Sequence, residues 1–267
     1  MNISHFIALL KNDLRVAWPF FFLAPFYAYL SIASYKDDHL YDLNPITSGG
    51  FFLFFMPFLA FNLLFQSENY GFANPSKPAI GKLEFMFTRA IDRFELFAAK
   101  ASLFLFFSSL PLLMIWACSY TTPSLKVQLP YSDKEYRQEA KQFYLSHFEN
   151  AYLQTPDVGT NKDYVVFPKG RINQSISTLM LGLAVTLLFQ VILFSFPQRR
   201  WLPFVALLLF AVILPFGSFA HIPPTPYEYF SAWVVQYTGL CFLVIGFLVV
   251  LAEFYCYRRF INTEITS

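Results

Sequence analysis

Over 267 residues, 13% of positions are charged and 21% are aromatic, with 35 Phe; a soluble domain carries roughly 25% charged residues. So much apolar surface reads against a water-soluble globular domain and for a chain that sits in lipid. The net charge of +2 is too small to point to nucleic acid, so the charges matter through their positions.

At the N-terminus, Ile3, Phe6, Ile7, Leu10, Leu14 and Ala17 can share one helical face, with His5, Asn12 and Arg15 pointing away. This pattern predicts an interfacial amphipathic helix over 3–17, an elbow that Trp18-Pro19 turns into the first crossing. Lys11, Asn12, Asp13 and Arg15 interrupt the apolar run, and no small-residue cleavage site follows, so the segment does not read as a secretory signal.

Crossing a bilayer takes about 20 mostly apolar residues. Six stretches free of Asp, Glu, Lys and Arg are long enough. They lie between Arg15 and Lys36, Asp42 and Glu68, Lys100 and Lys126, Arg171 and Arg199, Arg200 and Glu228, and Glu228 and Glu253. They are continuous rather than alternating, which predicts helices and not barrel strands. Pro19, Pro25, Pro57, Pro111, Pro203 and Pro215 punctuate them and read as kinks, with hinges as the alternative. The fold class expected is an all-α integral membrane protein with an N-terminal elbow helix and six transmembrane helices. A small external insertion separates the third from the fourth. The divisions are 1–118, with a cytoplasmic loop over about 67–99; 119–173, the insertion; and 174–267, the last three crossings and a short tail.

Orientation follows from Lys and Arg. Lys11 and Arg15 precede the first crossing. Lys77, Lys82, Arg89, Arg93 and Lys100 follow the second, Arg199 and Arg200 separate the fourth and fifth, and Arg258 and Arg259 follow the last. The opposite loops are poor in positive charge, which places both termini in the cytoplasm. The long loop 120–172 carries seven Lys and Arg, but long loops translocate largely regardless of charge. Within it, Ser132 and Glu135 form a capping box. Tyr136, Ala140, Phe143, Tyr144, His147, Phe148 and Tyr152 recur at helical spacing. An amphipathic helix is expected over 133–153, its aromatic face either capping the membrane domain or lying on the outer leaflet.

Several chemistries lack their motifs. Gly81-Lys82 is followed by Leu83, and Ser76 stands where a phosphate loop needs its first glycine. No HExxH or GxSxG is present. His5, His39, His147 and His221 are scattered, and Cys118, Cys241 and Cys256 form no CxxC pair. No catalytic, cofactor or metal site is expected. Ion-coupled transporters keep ionisable groups within their spans. Here only His221 and Glu253 come close, and both read as residues near span ends, with Glu253 an interfacial carboxylate beside Arg258 or Arg259.

The loop between the second and third crossings is the most informative stretch. An apolar run ends at Glu68. Lys82, Glu84, Phe85 and Met86 follow, then Phe87-Thr88-Arg89-Ala90-Ile91-Asp92-Arg93-Phe94-Glu95-Leu96, then Lys100. Leu83, Phe85, Met86 and Phe87 offer apolar anchors, and the charges around them a rim that would fix register on a partner. This segment resembles the coupling region of type-2 ABC transporter permeases, the class grouped with type V exporters. It departs from their pattern at Ala90, where proline is common, and at Asp92, where serine is common. The resemblance extends to the layout of elbow helix, six crossings and cytosolic C-terminus.

The resemblance implies a coupling helix docking on a separate ABC ATPase, through Glu68, Lys82, Glu84, Phe85, Phe87, Arg89, Asp92, Arg93, Glu95 and Lys100. It implies two ATPase copies carrying ATP and Mg, a second permease copy as homodimer or heterodimer, a bacterial inner or plasma membrane, and no nucleic acid. It also implies a re-entrant segment over 216–230, where Pro223, Pro224 and Pro226 forbid a continuous helix; a simple external loop is the alternative. The expected function is export of an amphipathic or lipid-like substrate, peptide or drug. The alternative is a membrane-anchored sensor or scaffold acting through its external domain. A polytopic enzyme would need clustered polar residues at one membrane face.

Overall fold

The computed structural model describes residues 3–34, 92–121, 123–129, 134–154, 164–195 and 226–262, with single positions at Pro57, Ala60 and Leu64. Its elements are α1 (Ile3–Ala17), α2 (Phe20–Ser34), α3 (Arg93–Ser119), β1 (Leu125–Gln128), α4 (Lys134–His147), β2 (Tyr152–Gln154), β3 (Tyr164–Phe167), α5 (Gly170–Ser195), α6 (Pro226–Gln236) and α7 (Thr238–Ile261).

Among the described residues, α3, α5 and α7 are long and apolar enough to cross a membrane, at 27, 26 and 24 residues. At roughly 1.5 Å per residue they span about 36–40 Å, more than the ~30 Å hydrocarbon core. The first expected crossing coincides in part with α2. The second, apart from Pro57, Ala60 and Leu64, and nearly all of the fifth lie outside the described residues, as do Ser132, His221 and most of 216–230.

The α3 helix is the centre of the packing. Its Phe97, Phe104 and Phe107 share one buried cluster with Ala17 of α1, Phe20 and Ala24 of α2, Phe189, Leu193 and Phe194 of α5, and Cys256 and Phe260 of α7. Asp92 caps it: its Oδ1 accepts from the Phe94 N–H at 2.9 Å, and Glu95 stands in the first turn, where the helix dipole favours an acid. The helix runs on through Pro111, as α2 does through Pro25.

Two directions are fixed by contacts. Asp13 meets Lys100, and Phe20 stacks on Phe107 at 5.1 Å; both pairs are 87 residues apart (100 − 13 and 107 − 20). The end of α1 and the start of α2 therefore follow α3 side by side in the same sense. The inward stripe of α1 is Leu9, Leu10, Asp13, Leu14 and Ala17, whereas Ile3 and Ile7 of the expected apolar face are exposed. At the far end of α3, Ser119 Oγ lies 3.1 Å from Ser175 Oγ of α5, and Ser177 Oγ lies 3.0 Å from Ser231 Oγ of α6. At its near end, α3 meets the last turn of α7. Hence α5 and α7 both run away from the α4 end of the molecule.

The insertion departs from an all-α architecture. Its three strands form an antiparallel sheet in the order β1-β3-β2, with Leu125 opposite Phe167 and Tyr152 opposite Val166. Helix α4 ends at His147, six residues short of the expected limit, because the chain turns through Asn150 at φ 62°, a left-handed conformation that Asn tolerates better than most residues. Tyr152, expected on the helix, belongs to β2. The aromatic face of α4 covers the sheet: Tyr144 packs on Phe167 at 5.4 Å and Phe148 on Phe167 at 5.2 Å. Phe143 reaches Tyr229 of α6 at 4.7 Å, and Ala232 joins the same core, so this face caps the helical body. Gly170 joins the sheet to α5 where a Cβ would lie 2.6 Å from Leu125 Cβ and 2.7 Å from Phe167 Cβ, closer than any side chain permits.

In place of an unbroken span over 228–253, α6 starts at Pro226, a favoured first helical residue, and gives way to α7 at Tyr237. The Thr238 hydroxyl donates back to Val234 O (2.9 Å) and Val235 O (3.0 Å), a local bonding that bends helices. Backbone bonds bridge the break, from Tyr237 N to Trp233 O and from Cys241 N to Tyr237 O.

Candidate functional site: the junction at the start of helix α3

Helix α3 begins at Arg93, seven residues before Lys100, so Lys100 lies two turns inside it rather than on the loop. The side chain is fully buried. Its Nζ donates to Asp13 Oδ2 at 3.0 Å and Oδ1 at 3.2 Å on α1, and to the carbonyl of Leu64 at 2.7 Å. Asp13 is itself buried. A buried cation is tolerated when a carboxylate and further acceptors surround it. The pair thus ties α1, α3 and the backbone at Leu64 into one unit. Lys100, a member of the expected coupling set, thus turns its ammonium inward to Asp13 and Leu64.

Two turns earlier, the Arg93 Nη1 donates to the carbonyl of Ile261 at 2.9 Å, fastening the start of α3 to the last turn of α7. Rings reinforce this contact: Phe94 and Phe97 pack on Tyr257 at 5.4 and 5.5 Å, Phe97 on Phe260 at 5.4 Å, and Phe194 of α5 on Phe260 at 6.5 Å. Glu95 is buried, so it too faces inward. Asp92 is used as the helix cap.

Of the ten expected coupling residues, the structure therefore brings four together, and all four serve the start of α3. Glu68, Lys82, Glu84, Phe85, Phe87 and Arg89 lie outside the described residues. Sequence reasoning missed Asp13, whose one signal was its place on the stripe Leu10, Asp13, Leu14, Ala17. It also missed Gln190. Glu253 was expected beside Arg258 or Arg259, yet it receives both its bonds from Gln190 Nε2 of α5, at 3.0 and 3.1 Å. Arg258 instead lies over the Phe254 ring at 4.9 Å, and Arg259 Nε donates to the Tyr255 hydroxyl at 3.1 Å.

Among the described residues no group of three or more His, Cys, Asp or Glu is placed to hold a metal ion. No family model, curated protein or solved structure matches this chain.

Proposed function

We propose that this chain is the membrane permease subunit of an ATP-driven ABC exporter. A separate ATPase, present in two copies with ATP and Mg, docks on the segment around 82–96, and two permease copies frame the path. The carrying observation is that this charged segment leads straight into a helix start fastened to both α1 and α7. A push on residues just before Asp92 is delivered through Arg93 to α7 and through Lys100 to α1. A chain whose own sequence lacks a phosphate-binding loop needs such a rigid receiver if a partner is to drive it.

The helix directions support a reading of six crossings. Helices α2 and α3 run in the same sense, and so do α5 and α7. Each pair calls for an odd number of crossings between its members, which supports the expected second and fifth. The first helix and the last turn of α7 meet the same end of α3, which supports two termini on one side, and the positive charges assign that side to the cytoplasm of a bacterial inner or plasma membrane. The substrate is an amphipathic or lipid-like compound, a peptide or a drug, because the described spans offer aromatic walls and little charge.

The test is co-purification from the native membrane. Wild type is expected to bring down an ABC ATPase, and Arg89→Glu with Phe85→Glu to lose it while eluting as a monodisperse species. If no ATPase accompanies wild type, the exporter reading fails, and the outer unit over 125–167 becomes the place to seek a ligand.

A further inference from the structure

A groove of about 310 Å³ runs between the first three turns of α3 and the C-terminal half of α7. Phe94, Phe97, Leu105, Phe254 and Tyr257 form its walls, and Glu253 lies on its lining. Both Glu253 oxygens share one donor group, the Nε2 of Gln190, whereas a carboxylate accepts about four bonds. Gln190 is fully buried, and its Oε1 has no hydrogen-bond partner among the described residues. On the groove lining, the two Glu253 oxygens are thus served by a single amide nitrogen, while Gln190 itself stands behind the lining. The half-buried Glu253 carboxylate keeps spare acceptor capacity beside apolar walls, so the group that fits here carries N–H donors and positive charge. The surrounding aromatic residues suit a cation as well, since ring faces attract positive charge.

The same side of α7 also has room for a tail. Gly246 and Gly239 stand seven and fourteen residues before Glu253, nearly two and four turns away on one face. A Cβ added at either glycine meets nothing within 4 Å. From Glu253 to Gly239 this open strip is about 21 Å long at roughly 1.5 Å per residue, enough for a lipid-length hydrocarbon chain. Leu243 and Val250 flank it and are themselves exposed.

We propose that the α3–α7 groove binds a membrane-borne amphiphilic amine, its ammonium on Glu253 and its hydrocarbon tail along the glycine strip. An anionic amphiphile meets the Glu253 carboxylate with like charge, and an alcohol brings a single donor and no charge. The site goes beyond the exporter reading and does not depend on it, because binding needs neither nucleotide nor ATPase.

The experiment is photolabelling of the purified full chain in neutral maltoside micelles with a long-chain primary alkylamine bearing a diazirine, mapped by mass spectrometry. Labelling is expected to be saturable, to fall on peptides containing Phe97, Phe254 or Tyr257, and to be competed by unlabelled alkylamine but not by the alcohol or sulfate of equal chain length. Glu253→Gln should weaken it about tenfold, the value of one charge-assisted hydrogen bond. Gly246→Leu fills the strip without touching Glu253 or Gln190 and should weaken it severalfold, which decides the matter if Glu253→Gln misfolds. Equal competition by the alcohol, wild-type labelling in both variants, or a groove blocked by a second copy of the chain would each overturn the proposal.

Discussion

Lys100 and Asp13 stabilise the chain only as a pair. Each is almost wholly removed from solvent, so replacing one leaves the other charge buried and uncompensated, at a cost of about 3–5 kcal/mol. Lys100→Met alone or Asp13→Leu alone is therefore expected to lower the unfolding temperature in detergent sharply. The double replacement should recover much of the loss, because two apolar side chains of similar volume need no partner. Cys256, fully buried, gives a convenient readout through its reactivity toward a fluorescent maleimide on heating. A double variant no better than the worse single one would show that the ion pair does not act as a unit. The charge pattern over 92–100 was legible in the sequence, but its use was not. Lys100 taken alone reads as the last positive charge before a crossing, and Asp13 as a polar residue on an interfacial helix. Only their meeting across 87 residues makes them one feature. The same reason hid Gln190, an uncharged residue in an apolar run, from any reading that starts with charges.

Elements were legible where a period was long enough to show. The aromatic spacing over 136–148 located α4 and its buried face, and the charge-free runs located α3, α5 and α7. The three strands escaped because each is three or four residues long, too short for an alternating pattern to stand out. Their sheet is held by a close approach at Gly170, which supplies a direct test. Gly170→Val pushes a branched side chain into the Cβ atoms of Leu125 and Phe167, neither of which can swing aside. The expected result is protease cleavage within 125–167 under conditions that leave wild type intact, with the long helices still resistant. Asn150→Val should act in the same direction and more weakly, since the left-handed conformation costs a side chain with a branched Cβ roughly 1–2 kcal/mol. Unchanged proteolysis in Gly170→Val would mean that the sheet does not pack on α5 in this way.

Among the described residues, the decisive geometry is the convergence of α1 and the last turn of α7 on one end of α3, opposite the unit built on α4. Asp13 of α1 sits at Lys100, Ile261 of α7 sits at Arg93, and Tyr229 of α6 sits at Phe143. Positive charge accumulates with the first two: Lys11, Arg15, Arg93, Arg258 and Arg259. If that end faces the cytoplasm, the α4 unit faces outward, and the two faces must differ in their access to a membrane-impermeant reagent. The check starts from a chain with Cys118, Cys241 and Cys256 replaced by Ala. A single cysteine is then placed at exposed Glu149 in the turn after α4, or at exposed Asn262 after α7. An impermeant maleimide added to intact cells should label Glu149→Cys, and label Asn262→Cys only after the membrane is opened. The reverse pattern would invert the orientation while keeping the fold, and would move the segment over 82–96 away from any cytoplasmic ATPase. Labelling of both positions from the same side would break the helix directions themselves, because no arrangement with α3 crossing the bilayer once puts Phe143 and Ile261 on the same face.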